Sequence, residues 1–289
     1  MSGTQPASGP GSPGARVGGA SNLVLRIASA VVLAPVAVGA AYVNGWPFAV
    51  FWGLAAMAVL WEWTALVAGP GHRLMFSACG SAIAVAALVA WLHRPIAAML
   101  VIGLGALAAA IFAAREHRLW ITAGIAYAGI LLLAPMYLRA DESYGFLAIV
   151  FLFAVVWATD IFAYFGGRTF GGPKVWPAIS PKKTWSGAIA GAFAATVAGV
   201  AVARWSGAAL NDGALAAVAA VLSVLSQIGD FMESFVKRRF GAKDASHLIP
   251  GHGGVMDRLD SFWAAALAGC LIGLIRAGFD APARGLLLW

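Results

Sequence analysis

The residues able to do chemistry crowd into one stretch, 227–261. It holds five carboxylates (Asp230, Glu233, Asp244, Asp257, Asp260), five fixed cations (Lys237, Arg238, Arg239, Lys243, Arg258) and two histidines (His247, His252), with Gly251, Gly253 and Gly254 among them. From residue chemistry alone this reads as a polyphosphate-plus-metal site. Carboxylates hold a hard cation such as magnesium, which keeps several waters and is shared with substrate phosphates. Lysine and arginine neutralise the remaining phosphate charge, arginine in bidentate fashion. The glycines let backbone amides approach a phosphate closely. Asp257 and Asp260 are three apart and share a face on a helical turn. Asp260 and Ser261 stand at the start of the last long apolar run, where the helix dipole favours an anion.

A second segment, Ser180-Pro181-Lys182-Lys183-Thr184, places two lysines and two hydroxyls at an expected helix entrance, an arrangement that cradles anions. Gly166-Gly167-Arg168 and Gly171-Gly172 are glycine-rich but have neither dinucleotide-site nor P-loop spacing. His252, beside two glycines, lacks a zinc pattern and reads as a phosphate-contacting or orienting residue. Asp160, in Trp157-Ala158-Thr159-Asp160, admits two readings: a carboxylate facing a metal, or one paired at the membrane edge. Glu62, between Trp61 and Trp63, reads as a helix-end carboxylate that reaches the interface or pairs with a base.

The elements that must position these groups are apolar helices. The 289 residues are 61% hydrophobic and 11% charged, with mean hydropathy +0.84. Soluble domains carry about 25% charged residues, so the chain lacks the surface of a soluble protein. Nine spans of roughly membrane-crossing length are expected, at 23–43, 47–68, 74–92, 95–113, 119–138, 145–166, 186–204, 213–230 and 261–278. The fold class is therefore all-α, a polytopic integral membrane protein with about nine transmembrane helices. Residues 1–22, rich in Gly, Ser, Pro and Ala, form an expected disordered tail. They are followed by N-terminal transmembrane helices over 23–144 and a C-terminal catalytic region over 145–289. The run from Leu23 to Val43 is too long for a secretory signal core. Cys79 and Cys270 lie in apolar runs and read as small buried residues.

The two long polar connections, 167–185 and 231–260, both follow an even-numbered span and so lie on one side. With a cytoplasmic N-terminus, fourteen of the nineteen Lys and Arg fall on the cytoplasmic side and five on the other. That bias fits the positive-inside rule and an external C-terminus. The net charge of +7 then belongs to loops facing anionic lipid and ligand rather than nucleic acid.

At 234–260 a specific resemblance emerges. Ser234-x-Val236-Lys237-Arg238, Lys243-Asp244-x-Ser246 and Ile249-Pro250-x-His252-Gly253-Gly254-Val255-x-Asp257-Arg258-Leu259-Asp260 resemble the signature of the phosphatidate cytidylyltransferases, or CDP-diacylglycerol synthases. The similarity continues through Gly229-Asp230-x-x-Glu233-Ser234 and the 180–184 segment, and covers roughly 145–278. One departure is Ser186, where many members carry Glu or Gln. The resemblance implies transfer of a cytidylyl group from CTP to phosphatidic acid, giving CDP-diacylglycerol and pyrophosphate. It implies magnesium held by Asp230 and Asp257, basic loops that hold CTP, membrane lipids around a homodimer, and a second, monovalent cation such as potassium. It also implies a bacterial-type inner membrane with the active site facing the cytoplasm. In the mechanism it implies, Asp230, Asp257, Lys243 and Arg258 are catalytic candidates. Ser180, Lys182, Lys183, Thr184, Ser234, Lys237, Arg238, His252, Gly253, Gly254 and Asp260 are substrate-binding candidates, and Asp160 is a further metal candidate. The rival readings are a CTP-dependent kinase of a polyprenol or phytol, which would release CDP, and a membrane transporter. A transporter would place ionisable residues near the midplane, often in repeated halves, whereas here they gather at one face.

Overall fold

The computed structural model describes residues 19–208, 210–246, 248 and 253–289. Among the described residues nine long helices follow one another: α1 (Gly19–Val43), α2 (Gly45–Ala68), α3 (His72–Trp91), α4 (Pro95–Phe112), α5 (Arg118–Arg139), α6 (Gly145–Phe170), α7 (Trp185–Trp205), α8 (Asp212–Arg239) and α9 (Met256–Ala277). A short α10 (Pro282–Leu287) ends the chain. Among the described residues, α2 to α9 are each long and apolar enough to cross a membrane, and α1 adds the apolar stretch Val31–Val43. The protein is an all-α polytopic membrane protein. Of the expected disordered tail, residues 1–18 lie outside the described residues, and 19–22 belong to α1.

Three departures from the expected spans matter for function. First, α8 does not stop at residue 230 but runs to Arg239. Its 28 residues extend about 42 Å at ~1.5 Å per residue, longer than a hydrocarbon core of ~30 Å. Hydropathy marks where the bilayer ends, not where the helix ends. Lys237, Arg238 and Arg239 in the last turn suit the negative end of the dipole. Second, α9 begins at Met256, so Asp257 and Asp260 lie in its first turns. Third, 174–184 is not a plain loop. β1 (Lys174–Trp176) and β2 (Ser180–Thr184) pair antiparallel, Lys174 opposite Thr184 and Trp176 opposite Ser180.

Close helix crossings rest on glycine. A Cβ on Gly187 would meet the Ala163 carbonyl oxygen at 2.6 Å, and one on Gly191 the Thr159 carbonyl oxygen at 2.8 Å. Small residues let α6 and α7 approach backbone to backbone, as membrane helices do when packing must replace hydrophobic drive. Gly229 does the same where α8 meets α9, its absent Cβ falling 2.6 Å from the Asp260 carbonyl oxygen.

The N-terminal helices are built into the C-terminal ones. Trp52 of α2 stacks on Phe262 of α9 with centroids 4.9 Å apart, and Tyr127 of α5 stacks on Trp263 at 4.5 Å. The Trp263 indole N–H donates to the Tyr127 carbonyl at 2.9 Å. At the end of the bundle away from the 227–261 cluster, Arg284 pairs with Asp141 at 2.8 Å and Arg139 donates to the Ala41 carbonyl at 2.6 Å.

Candidate active site

Four helix ends and the β-hairpin meet around a cavity of about 580 Å³, within the usual range for ligand pockets. The C-terminal end of α6 contributes Asp160, Tyr164 and Arg168, and the hairpin contributes Lys182, Lys183 and Thr184. Asp230 and Lys237 come from α8, Asp244 from the segment after it, and Asp257, Arg258, Asp260 and Ser261 from α9. The two polar segments thus face one space at one end of the bundle, as the even-span argument requires.

The hairpin has local causes. Thr184 caps α7, its Oγ1 accepting the Gly187 N–H at 3.2 Å, which satisfies one orphan donor of the first turn. Trp185 N–H donates to the Pro173 carbonyl at 3.1 Å and closes the hairpin's open end. Ser186, the departure from the related pattern, donates its hydroxyl to the Gly171 carbonyl and bonds Thr184 Oγ1 at 3.1 Å. It ties the end of α6 to the hairpin, a task a serine performs with a short reach. Extended backbone turns alternate side chains to opposite faces. Lys183 reaches Asp230 as an ion pair and lies 4.2 Å from the Phe231 ring centroid, while Lys182 is exposed at the cavity wall.

Because 230–239 is helical, Asp230, Glu233, Ser234 and Lys237 lie within two turns of one another. The Lys237 ammonium sits 2.6 Å from Glu233 Oε2 and 2.5 Å from Asp257 Oδ1. Asp257 Oδ2 accepts the backbone N–H groups of Ala245 at 3.0 Å and Gly254 at 2.8 Å. Ser234 Oγ donates to Asp230 Oδ1 at 3.4 Å. Asp160 opens onto the cavity and accepts from Ser261 Oγ at 3.4 Å. Asp260 is buried and accepts the Ser261 N–H at 2.7 Å.

One carboxylate oxygen each from Asp230, Glu233 and Asp260 falls within 4.8 Å of the others. Glu233 is 1% exposed, and its Oε1 has no hydrogen-bond partner among the described residues. A buried, unpartnered carboxylate oxygen beside two further carboxylates fits a hard divalent cation, which prefers oxygen ligands. The residues present therefore suit magnesium. The fold adds Glu233 and Asp260 as neighbours of Asp230, while the Asp257 carboxylate lies on the same cavity with both oxygens already engaged.

The other sequence candidates are placed as follows. Ser180 is half-buried in β2. Arg238 is exposed and donates to the Ala242 carbonyl at 3.3 Å, and Lys243 is exposed beyond α8. Gly253 adopts φ +85 beside Asp257, a conformation that favours glycine. His252 lies outside the described residues, as does His247.

The expected use of the α9 N-terminus as an anion site is corrected. Its first amides are already taken by a carboxylate of the protein itself: Glu62 accepts the N–H of Val255 at 2.8 Å and of Met256 at 2.7 Å. Ser246 Oγ donates to the same carboxylate at 2.5 Å. Glu62 is 0% exposed, so it is not an interfacial carboxylate. The signal was present in the sequence. A carboxylate within an apolar span must find a partner, and for Glu62 the partners are two backbone amides and a hydroxyl.

Known proteins resemble this chain over the stretch that carries the site. The chain matches the Cytidylyltransferase family over residues 24–274. It is 44% identical over 265 residues to the phosphatidate cytidylyltransferase of Brucella suis biovar 1 (strain 1330), covering 91% of this chain and 97% of that one. It is 45% identical over 263 residues to that of Brucella abortus biovar 1 (strain 9-941), covering 90% and 96%. With the phosphatidate cytidylyltransferase of Staphylococcus aureus (strain COL) it shares 41% identity over 138 residues, covering 48% and 52%. The matched region runs from within α1 through most of α9, and the chain belongs to the cytidylyltransferase family.

Proposed function

We propose that this membrane enzyme transfers a cytidylyl group from CTP to phosphatidic acid, forming CDP-diacylglycerol and releasing pyrophosphate. The observation that carries the reading is the convergence of carboxylates and lysines on one cavity at the end of a transmembrane bundle. There a lipid headgroup held by its tails in the bilayer meets a nucleotide arriving from water. Relatives covering nearly the whole chain carry the name of that activity.

The lipid phosphate oxygen attacks the α-phosphorus of CTP, a new P–O bond forms, and the bond to the β-phosphate oxygen breaks. The nucleophile is already an anion near neutral pH, so no strong base is required. The protein's work is positioning and charge neutralisation. Lys182, Lys183 and Arg258 line the cavity and neutralise phosphate oxygens. Lys237 bridges Glu233 and Asp257 and so fixes α8 to the start of α9. Asp230, together with carboxylates from Glu233, Asp257 and Asp260, would hold magnesium, and Asp160 stands across the cavity as a further donor. When bound, magnesium polarises the α-phosphate and stabilises the leaving pyrophosphate. The site faces the cytoplasm in this reading, the side with the excess of Lys and Arg.

The test is an assay of purified protein in detergent with radiolabelled CTP and phosphatidic acid, with and without magnesium. A cytidine-containing lipid and pyrophosphate are expected, dependent on magnesium. A phosphorylated lipid alcohol with CDP, formed when a polyprenol is supplied, would replace the reading with a lipid kinase.

A further inference from the structure

We infer that Glu62 is a positioning residue for the reaction: it holds the segment that carries Asp257 against the N-terminal half of the bundle. This rests on the cytidylyl-transfer reading above. Glu62 lies on α2, far in sequence from its partners, separated by 184, 193 and 194 positions from Ser246, Val255 and Met256. All three donate to its carboxylate, at 2.5, 2.8 and 2.7 Å. Its side chain is fully buried and does not line the cavity, so it acts through the segment it holds.

The segment is gripped from two sides. Asp257 Oδ2 takes the amides of Ala245 and Gly254, and Glu62 takes the next two amides and the Ser246 hydroxyl. Consecutive N–H groups of 254, 255 and 256 are thus divided between a cavity carboxylate and a buried one. Gly254 shows how tight this is: a Cβ there would fall 2.8 and 2.9 Å from the two Glu62 oxygens. Charge-assisted bonds to a helix N-terminus are among the strong ones. Losing one frees the first turn of α9, and with it the direction in which Asp257 and Arg258 project. A misplacement of ~1 Å in such a group can cost about a hundredfold in rate.

The test uses the full chain in detergent micelles, comparing wild type with Glu62→Gln and Ser246→Ala. In Glu62→Gln an amide NH2 must face at least one N–H or O–H donor. Hydrogen exchange is read by mass spectrometry on peptides covering 253–258. Expected is a rise of about tenfold or more in exchange there, with α9 beyond residue 262 unchanged. The turnover number per folded molecule falls about tenfold or more. KM for CTP rises by less than the turnover number falls, because Lys182 and Lys183 stand on the hairpin and are not held by Glu62, while Arg258 is. Ser246→Ala removes one of the three bonds and keeps the charge, so it should shift both readouts in the same direction by less. Unchanged exchange in Glu62→Gln overturns the inference, and so does raised exchange with unaltered turnover, which makes Glu62 a purely structural residue. If Glu62→Gln does not fold, Ser246→Ala decides by the same two criteria. A wild-type protein that forms no CDP-diacylglycerol would instead sink the reaction, while the exchange data would still report on the grip itself.

Discussion

Lys237 offers the sharpest quantitative test of the site. Its ammonium sits within 2.6 Å of Glu233 and 2.5 Å of Asp257, with the three side chains 12%, 0% and 9% exposed. Burial raises the Glu233 carboxyl to about 8, so the test is set at about pH 9, where at an effective dielectric of about 20 Coulomb's law gives roughly 6 kcal/mol of gross attraction for each contact. Desolvation of three charges offsets much of that, so the useful figure is the cost of truncating one member, about 3–5 kcal/mol. Lys237→Met keeps the length of the stem and removes the charge, leaving two carboxylates facing each other across a buried gap. The expected result is a loss of about 3–5 kcal/mol in reversible unfolding in mixed micelles without magnesium. Adding Glu233→Gln removes one of the stranded charges and should recover about half of the loss, a coupling read directly from the double-mutant cycle. Activity should fall in both variants, since Asp257 loses the partner that orients it. A destabilisation below about 1 kcal/mol, the level of an exposed ion pair, would refute the reasoning, as would a double mutant no more stable than the single one.

Three further outcomes are expected. Asp257→Asn sets an amide NH2 against either the Lys237 ammonium or the Ala245 and Gly254 N–H groups, all donors, and CDP-diacylglycerol formation in magnesium should fall about a hundredfold in membranes with normal protein levels. Lys182→Ala with Lys183→Ala should raise KM for CTP about tenfold, measured at saturating phosphatidic acid, because both side chains line the cavity. Gly187→Val places a branched side chain where even a Cβ would lie 2.6 Å from the Ala163 carbonyl oxygen. It should destabilise the α6–α7 crossing by about 1–3 kcal/mol, seen as a lower melting temperature in detergent.

Much of this molecule is legible in the sequence because hydropathy is a property of short windows. Composition alone dictates a membrane protein, and the apolar runs put seven of the nine long helices within a few residues of their observed N- and C-terminal ends. The exceptions are α8 and α9, and their reason is local: helix 231–239 carries too many charges to register as a span. It persists because one face is packed, with Glu233 and Val236 buried and Lys237 tied to Asp257, while the last-turn bases suit the dipole. The hairpin at 174–184 was invisible for a related reason, since three and five residues are too few to show a period.

What the sequence by itself determined is the inventory: which residues carry charge, and that the two polar segments with the candidate site residues lie on one side of the apolar spans. What only the tertiary structure decided is their pairing. Lys183 meets Asp230 across two elements, Lys237 joins Glu233 to Asp257, and Glu62 crosses nearly two hundred positions to reach α9. A charge in a low-dielectric interior must find an opposite charge or an aimed dipole. Sequence shows that the need exists, but the partner is whichever group the packing of Gly187, Gly191 and Gly229 brings within reach.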